Sequence, residues 1–219
     1  MSGGKTVIAI DGPSGAGKST IAKALSETLG IDYIDTGAMY RAIALQILRD
    51  GIDLADDDAI SVMLEHVSVD QVSGRTLLNG EDISGKIRTP EVTAMASDSS
   101  ALPKIREKLV ALQRQMGERK SVVMDGRDIG SNVFKNADYK FFITASPEVR
   151  AKRRFDEFTE KGVATTFEEV LSDICERDYN DSHRATNPLV KTDDAIEIFT
   201  DDLGIPEVLE TVLGKMTAL

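Results

Sequence analysis

Gly12-Pro13-Ser14-Gly15-Ala16-Gly17-Lys18-Ser19-Thr20 follows closely on an apolar run, Thr6-Val7-Ile8-Ala9-Ile10, that reads as a buried strand. The stretch fits Gly-x-x-x-x-Gly-Lys-[Ser/Thr], the phosphate-binding loop (P-loop) that joins a strand to a helix. Gly12, Gly15 and Gly17 let successive backbone N–H groups turn inward toward phosphate oxygens. The helix beginning near Lys18 adds the positive end of its dipole. Lys18 brings a point charge to the outer phosphates, and the Ser19 hydroxyl is placed to bind a magnesium ion that bridges them.

Working outward, Ile21, Ala22, Leu25 and Leu29 recur at helical spacing up to Gly30, which caps the helix. Asp32-Tyr33-Ile34-Asp35 reads as a second strand, and a helix follows with Ile43, Ile47 and Leu48 inward until Gly51. Tyr40 and Arg41 fall in its first turns, at the strand's carboxyl end, where open α/β sheets bind ligands. A short helix is expected over 56–66, capped by Asp56. From Val67 the period becomes alternating: Val67, Val69 and Val72, then Thr76-Leu77-Leu78, then Ile83, separated by Ser73-Gly74 and Asn79-Gly80, which are hairpin turn signals. This predicts a small antiparallel insertion, too small to bury a core alone and so packed on the main body as a hinged flap. Residues 90–117 turn helical again, with Ile105, Leu109, Leu112 and Met116 as one apolar stripe and with Ser97 and Arg106 outside it.

Ser121-Val122-Val123-Met124-Asp125 is the next buried strand, and Asp125 stands where P-loop enzymes place a magnesium-directed carboxylate. It runs into Gly126-Arg127-Asp128-Ile129-Gly130, two acids bracketing an arginine between glycines, which reads as a built site. Lys140-Phe141-Phe142-Ile143-Thr144 is a further strand, and Ser146-Pro147-Glu148 starts a helix with an N-cap serine. Arg150, Lys152, Arg153, Arg154, Lys161, Arg177 and Arg184 then form a basic segment that breaks at Gly162 and restarts at a capping box, Thr166 with Glu169. Two arginine-rich helices joined by a turn suit a lid that closes over phosphates and excludes water. Ala195-Ile196-Glu197-Ile198-Phe199 is the last strand, and residues 206–213 form a closing helix.

A chain of 219 residues is long enough for one α/β domain with insertions. Its 26 Lys plus Arg against 37 Asp plus Glu give a net charge of −11, which argues against a nucleic-acid polymer as partner. Residues 1–5 lack the apolar core of a signal peptide, and no run approaches the roughly eighteen apolar residues that span a bilayer. The single Cys175 forms no internal disulfide and is expected to serve packing, as in a reduced cytoplasmic protein.

Strand, P-loop, helix, insertion and arginine-rich lid describe the P-loop nucleoside monophosphate kinases. Within that class the chain resembles the bacterial cytidylate kinases over nearly its whole length. The resemblance is carried by Ile10-Asp11-Gly12-Pro13-Ser14-Gly15-Ala16-Gly17-Lys18, Asp35-Thr36-Gly37-Ala38-Met39-Tyr40-Arg41, Gly80-Glu81-Asp82-Ile83-Ser84, Ile87-Arg88-Thr89-Pro90-Glu91-Val92, Asp125-Gly126-Arg127-Asp128-Ile129-Gly130, and Glu176-Arg177-Asp178 running on to Asp181-Ser182-His183-Arg184. It implies a three-layer α/β P-loop kinase fold with a five-stranded parallel sheet, one kinase domain over 1–219. That domain would contain a nucleoside-monophosphate-binding insertion at 62–100 and a helical lid at 150–185.

The activity implied is transfer of the terminal phosphoryl group of ATP, with Mg2+, to CMP or dCMP, by a cytoplasmic monomer that binds neither nucleic-acid polymers nor membranes. The resemblance places cytosine recognition on Ser97, Arg106 and Asp128, ribose contacts on Asp181 with Arg177 or Arg184, and the acceptor phosphate on Arg41 and Arg127. Thr36, Tyr40 and Asp125 join the CMP-contacting set, and Asp125 with Ser19 directs the metal, through water in the case of the acid. Lys18, Arg127, Arg153, Arg154 and Arg177 are the candidates for stabilising the transferring phosphoryl group. Thr36 stands where many relatives carry serine, which keeps a hydroxyl. Kinases of the same fold acting on UMP, AMP or shikimate are separated from this reading by the trio Ser97, Arg106 and Asp128. A GTP-dependent switch lacks support, because Val190-Lys191-Thr192-Asp193 matches only the last three positions of the guanine-reading Asn-Lys-x-Asp.

Overall fold

The apolar run ahead of the glycine-rich loop becomes the central strand of a parallel sheet. The computed structural model describes residues 5–72 and 74–217. The expected turn residue Ser73 and residues 1–4, read for a signal peptide, lie outside them. In chain order the elements are β1 (Val7–Asp11), α1 (Lys18–Leu29), β2 (Asp32–Asp35), α2 (Thr36–Asp50), α3 (Asp57–His66), β3 (Val69–Val72), β4 (Arg75–Leu78), β5 (Glu81–Asp82), α4 (Pro90–Ser99), α5 (Pro103–Arg119), β6 (Val122–Gly126), a π turn (Ile129–Val133), β7 (Tyr139–Thr144), α6 (Pro147–Glu160), α7 (Phe167–His183), β8 (Ile196–Phe199) and α8 (Ile205–Thr217). They fall into two compact units, one holding the described residues up to Tyr33 and from Lys120 onward, the other Ile34–Arg119.

The parallel sheet of the first unit, which takes in β2 as far as Tyr33, has the strand order β2-β6-β1-β7-β8. β1 pairs in parallel with β6, Val7 opposite Val122 through Asp11 opposite Gly126, and with β7, Ile8 opposite Tyr139 through Asp11 opposite Phe142. Ile8, Ala9 and Ile10 are buried on both faces, as a central parallel strand requires, so the run is continuously apolar instead of alternating. Ile21, Ala22 and Leu25 of α1 and Val208 and Val212 of α8 pack into the same core. The register brings the carboxyl ends of β1 and β6 side by side, and with them the P-loop and the Asp125 loop. Ser146 caps α6 and the Thr166–Glu169 box caps α7, both as the sequence predicts. These two helices share a small apolar core of Ala151, Val170 and Ile174, flanked by Phe155 and Phe167 in edge-to-face contact. Cys175 is exposed on α7, so the expectation that it packs is corrected: the inward face of that helix is taken by Val170 and Ile174.

In the second unit β3, β4 and β5 form an antiparallel sheet, Val69 opposite Leu78 and Leu78 opposite Glu81. Asn79 and Gly80 both have positive φ, 51° and 83°, the pattern of the tight hairpin turn that Asn-Gly predicts. The helical segment after Pro90 comes as two helices, α4 and α5, with the chain turning at residues 100–102. The stripe expected on α5 is rotated. Ile105, Arg106, Leu109, Val110, Gln113 and Gly117 are buried while Leu112 and Met116 are half-buried. Arg106, expected outside the stripe, is only 2% exposed. Helical periodicity counted apolar residues and had no means of marking a buried arginine. No helix among the described residues is long and apolar enough to cross a membrane.

Candidate active site

The P-loop geometry begins at Gly12, whose φ is +146° and where a Cβ would lie 1.9 Å from the Ile143 carbonyl oxygen. No side chain fits between the loop and β7, so glycine there is a packing requirement as well as a conformational one. At the far end of the loop Lys18 is buried, and its Nζ donates to the Pro13 carbonyl at 2.6 Å. Burial lowers its pKa from the ordinary 10.5 to about 7, with the Arg127 guanidinium pushing the same way and Asp125, Asp181 and Asp11 opposing. Ala16, Ser14 and Pro13 are buried, whereas Gly15, Gly17 and Thr20 are exposed and Ser19 is half-buried. Ser19 Oγ donates to Asp125 Oδ2 at 2.7 Å, and the Tyr33 hydroxyl donates to Asp125 Oδ1 at 2.9 Å.

Beside the P-loop, Arg127 Nε donates to Asp181 Oδ2 at 2.7 Å. Burial works against the charge of both groups, but their mutual attraction wins. Arg127 is held above and Asp181 below its ordinary value, with Arg177 and Arg184 adding to the hold on Asp181. Arg184 reaches Asp128 Oδ1 at 3.3 Å and Asp181 Oδ1 at 3.8 Å. Asp128 Oδ2 also accepts from Asn132 Nδ2 at 3.0 Å. Arg153 donates from Nη1 to Thr200 Oγ1 at 3.1 Å and from Nη2 to the Thr200 carbonyl at 2.5 Å, and the Arg154 guanidinium lies 5.3 Å from the centre of the Phe158 ring. His183 is exposed and stacks on Tyr179.

Within Ile34–Arg119, Asp35 caps α2 and also pairs with Arg41 at 3.3 Å and Arg88 at 3.5 Å. Thr36 is buried at the first helical position. The Arg106 guanidinium sits 5.6 Å from the centre of the Tyr40 ring and donates to the Ser100 carbonyl at 3.3 Å. Ser97 is half-buried on α4.

A family model described as Cytidylate kinase matches residues 8–218, all but the two ends of the chain. The chain belongs to the cytidylate kinase family. A curated relative named Cytidylate kinase from Clostridioides difficile (strain 630) is 47% identical over 213 residues, covering 97% of this chain and 99% of that protein. Another from Caldanaerobacter subterraneus subsp. tengcongensis is 50% identical over 205 residues, covering 94% and 92%. Among solved structures, a gluconokinase from Sinorhizobium meliloti 1021 aligns with TM-score 0.52 at 16% identity, covering 97% of this chain and 92% of that one. A shikimate kinase from Bacteroides thetaiotaomicron aligns with TM-score 0.50 at 14% identity, covering 98% and 99%. At such identities these two speak for the fold alone, the α/β P-loop kinase fold.

For a member of the cytidylate kinase family, two groups named in the sequence but given no individual role there are brought to the P-loop by the geometry. Arg150, 2% exposed, pairs bidentately with Asp178 at 3.0 and 2.6 Å and donates to the carbonyls of Ser14, at 3.2 Å, and Ala145, at 2.9 Å. Asp11 accepts two backbone N–H groups from the loop after Asp128. The available signals were a charge at the end of an apolar strand and an arginine just after a helix N-cap, neither of which names its partners.

Proposed function

We infer that the chain transfers the terminal phosphoryl group of MgATP to CMP or dCMP, giving CDP or dCDP and ADP, in pyrimidine nucleotide metabolism. The observation that supports this most directly is the match to cytidylate kinase over residues 8–218, joined to a P-loop whose Lys18 is buried. In this reading Gly12, Pro13, Ser14, Gly15, Ala16, Gly17, Lys18, Ser19 and Thr20 hold the ATP phosphates. Lys18 enters with a lowered proton affinity and takes up full charge as phosphate oxygens replace the Pro13 carbonyl as its partner. The attacking phosphate oxygen of CMP is already anionic, so the protein's task is to align it and to neutralise charge.

Ser19 and Asp125 fit a magnesium ion. Their oxygens lie 2.7 Å apart, and a hard cation of this kind takes a few protein oxygens and completes its shell with phosphates and water. When bound, the ion would neutralise charge on the phosphates as the phosphoryl group transfers. We assign Arg41 and Arg127 to the acceptor phosphate and Asp181 with Arg177 or Arg184 to the ribose. Ser97, Arg106 and Asp128 are assigned to the cytosine, with Thr36 and Tyr40 alongside. A carboxylate can accept from the cytosine amino group, which uracil lacks. Residues 62–100 serve as the nucleoside-monophosphate-binding insertion and 150–185 as the lid, with Arg153, Arg154 and Arg177 helping to neutralise the transferring group. We place the protein in the cytoplasm as a monomer.

The test is ADP production from MgATP with CMP, dCMP, UMP, AMP, GMP or no acceptor in parallel. Turnover confined to CMP and dCMP is expected. ADP formed equally without an acceptor, or only with another acceptor, would reject the cytosine assignment while leaving the nucleotide-binding loop in place.

A further inference from the structure

Asp11 ends β1 one residue before Gly12 and is 6% exposed. The phosphate-binding motif asks for no acid there, and a buried anion near a phosphate site is electrostatically unwelcome. Its carboxylate is engaged elsewhere. Oδ1 accepts the Ile129 N–H at 2.8 Å and Oδ2 accepts the Gly130 N–H at 2.7 Å. Those amides open the π turn that directly follows Asp128 and Arg127. The turn is closed by Phe134 N–H donating to the Ile129 carbonyl at 2.7 Å and by Val133 N–H donating to the Asp128 carbonyl at 3.1 Å. π turns are rare and concentrate at functional sites. The register of Asp128 therefore depends on where this turn begins.

We propose that Asp11 is a positioning residue for acceptor recognition: by clamping the Ile129 and Gly130 amides it fixes Asp128 and Arg127 in the register that the cytosine nucleotide requires. The proposal rests on the assignment of Asp128 to the base. The stereochemistry singles out an ionised aspartate. Both partners are donors, so both oxygens must accept. An asparagine, or a protonated aspartic acid, would aim one of its own hydrogens at one of the two amides. The clamp is held at a cost to the fold, because burial raises the Asp11 pKa from 3.8 to about 6, with the Asp128 charge adding to the rise and the two amides and Lys18 opposing it.

Asp11→Asn separates these roles. It preserves shape and removes the penalised charge, so the thermal midpoint at neutral pH is expected to be unchanged or raised. The KM for CMP is expected to rise at least tenfold, the preference for CMP over UMP in kcat/KM to fall by a similar factor, and the KM for ATP to stay within about twofold. A second variant acts on the other side of the clamp: at Gly130 a Cβ would come within 3.1 Å of the Lys140 side chain and 3.4 Å of Asp11 Oδ2. Gly130→Ala should therefore reproduce the CMP-selective loss with Asp11 intact, and it carries the test if Asp11→Asn does not fold. Asp128→Asn runs beside both. If it alters the CMP to UMP ratio while neither clamp variant does, the positioning role of Asp11 is overturned. If Asp128→Asn leaves the ratio unchanged, the base assignment itself fails. An Asp11→Asn enzyme that loses ATP and CMP affinity equally also overturns the proposal, since the clamp would then serve the P-loop.

Discussion

Replacing Lys18 by methionine is expected to make the ligand-free protein more stable and inactive at once. Lys18 is 5% exposed, and a fall in its pKa from 10.5 to about 7 is worth roughly 5 kcal/mol, at about 1.4 kcal/mol per tenfold change in proton affinity. That is the cost of keeping the ammonium charged in the fold below pH 7. Methionine fills similar space without charge but leaves the Pro13 carbonyl without its 2.6 Å donor, a loss of about 1 kcal/mol. Allowing for relaxation around the site, about 3 kcal/mol of gain remains, which for a chain of this size raises the melting midpoint by roughly 6–12 °C at pH 7.

The pH dependence fixes the cause. Between about 7 and 10.5 the unfolded chain holds a proton on Lys18 that the folded chain has shed, so this residue makes wild-type stability climb with pH across that window. The gap to Lys18→Met should therefore narrow steadily toward pH 10. MgATP narrows the gap from the other side: at one hundred times its dissociation constant it adds about 2.7 kcal/mol to the wild type and less to a variant that has lost its phosphate charge. The assays are thermal melts at pH 7 and 10, with and without nucleotide, and ADP release. A variant no more stable than wild type at pH 7, or a gap independent of pH, would refute the claim that buried charge is strained there.

Gly12→Ala forces a Cβ to 1.9 Å from the Ile143 carbonyl oxygen, so loop or strand must move; we expect loss of ADP production together with a lowered midpoint, read from activity and circular dichroism. Arg150→Met leaves Asp178 without its bidentate partner and the Ser14 and Ala145 carbonyls without their donor, a destabilisation of about 3–5 kcal/mol and a midpoint roughly 10 °C lower in the same melts. Asp181 is held below its ordinary 3.8, so the stability its ionisation supplies is present above that value and is lost as pH falls through the lower folded pKa. Asp181→Asn should therefore lower the midpoint at pH 7, and the deficit should shrink in acid titrations below pH 4.

How far the sequence carried these conclusions depended on whether a feature is local. The P-loop, the caps Ser146 and Thr166, and the Asn79-Gly80 turn are written in consecutive residues, because backbone hydrogen bonding within a few positions decides them. Arg106 and Arg150 were legible as charges but not as buried groups. Burying a guanidinium needs several acceptors, and for Arg150 the nearby Ala145 carbonyl is joined by Ser14 and Asp178 from distant segments that no periodicity announces. The same limit hid the pairing among the candidate acceptor residues. Arg127 with Asp181 and Arg184 with Asp128 were read as contacts to a nucleotide, yet in the ligand-free protein they satisfy one another. This pairing has an energetic consequence for binding. Under the proposed assignment, a nucleotide contact to Arg127, Asp181, Arg184 or Asp128 replaces an existing ion pair, so its contribution to affinity is the difference between two sets of charge-assisted bonds. Discrimination is not weakened in the same way. Under the same proposal, a base that offers Asp128 no donor would leave it to Arg184, while the cytosine amino group would have to compete with that pair.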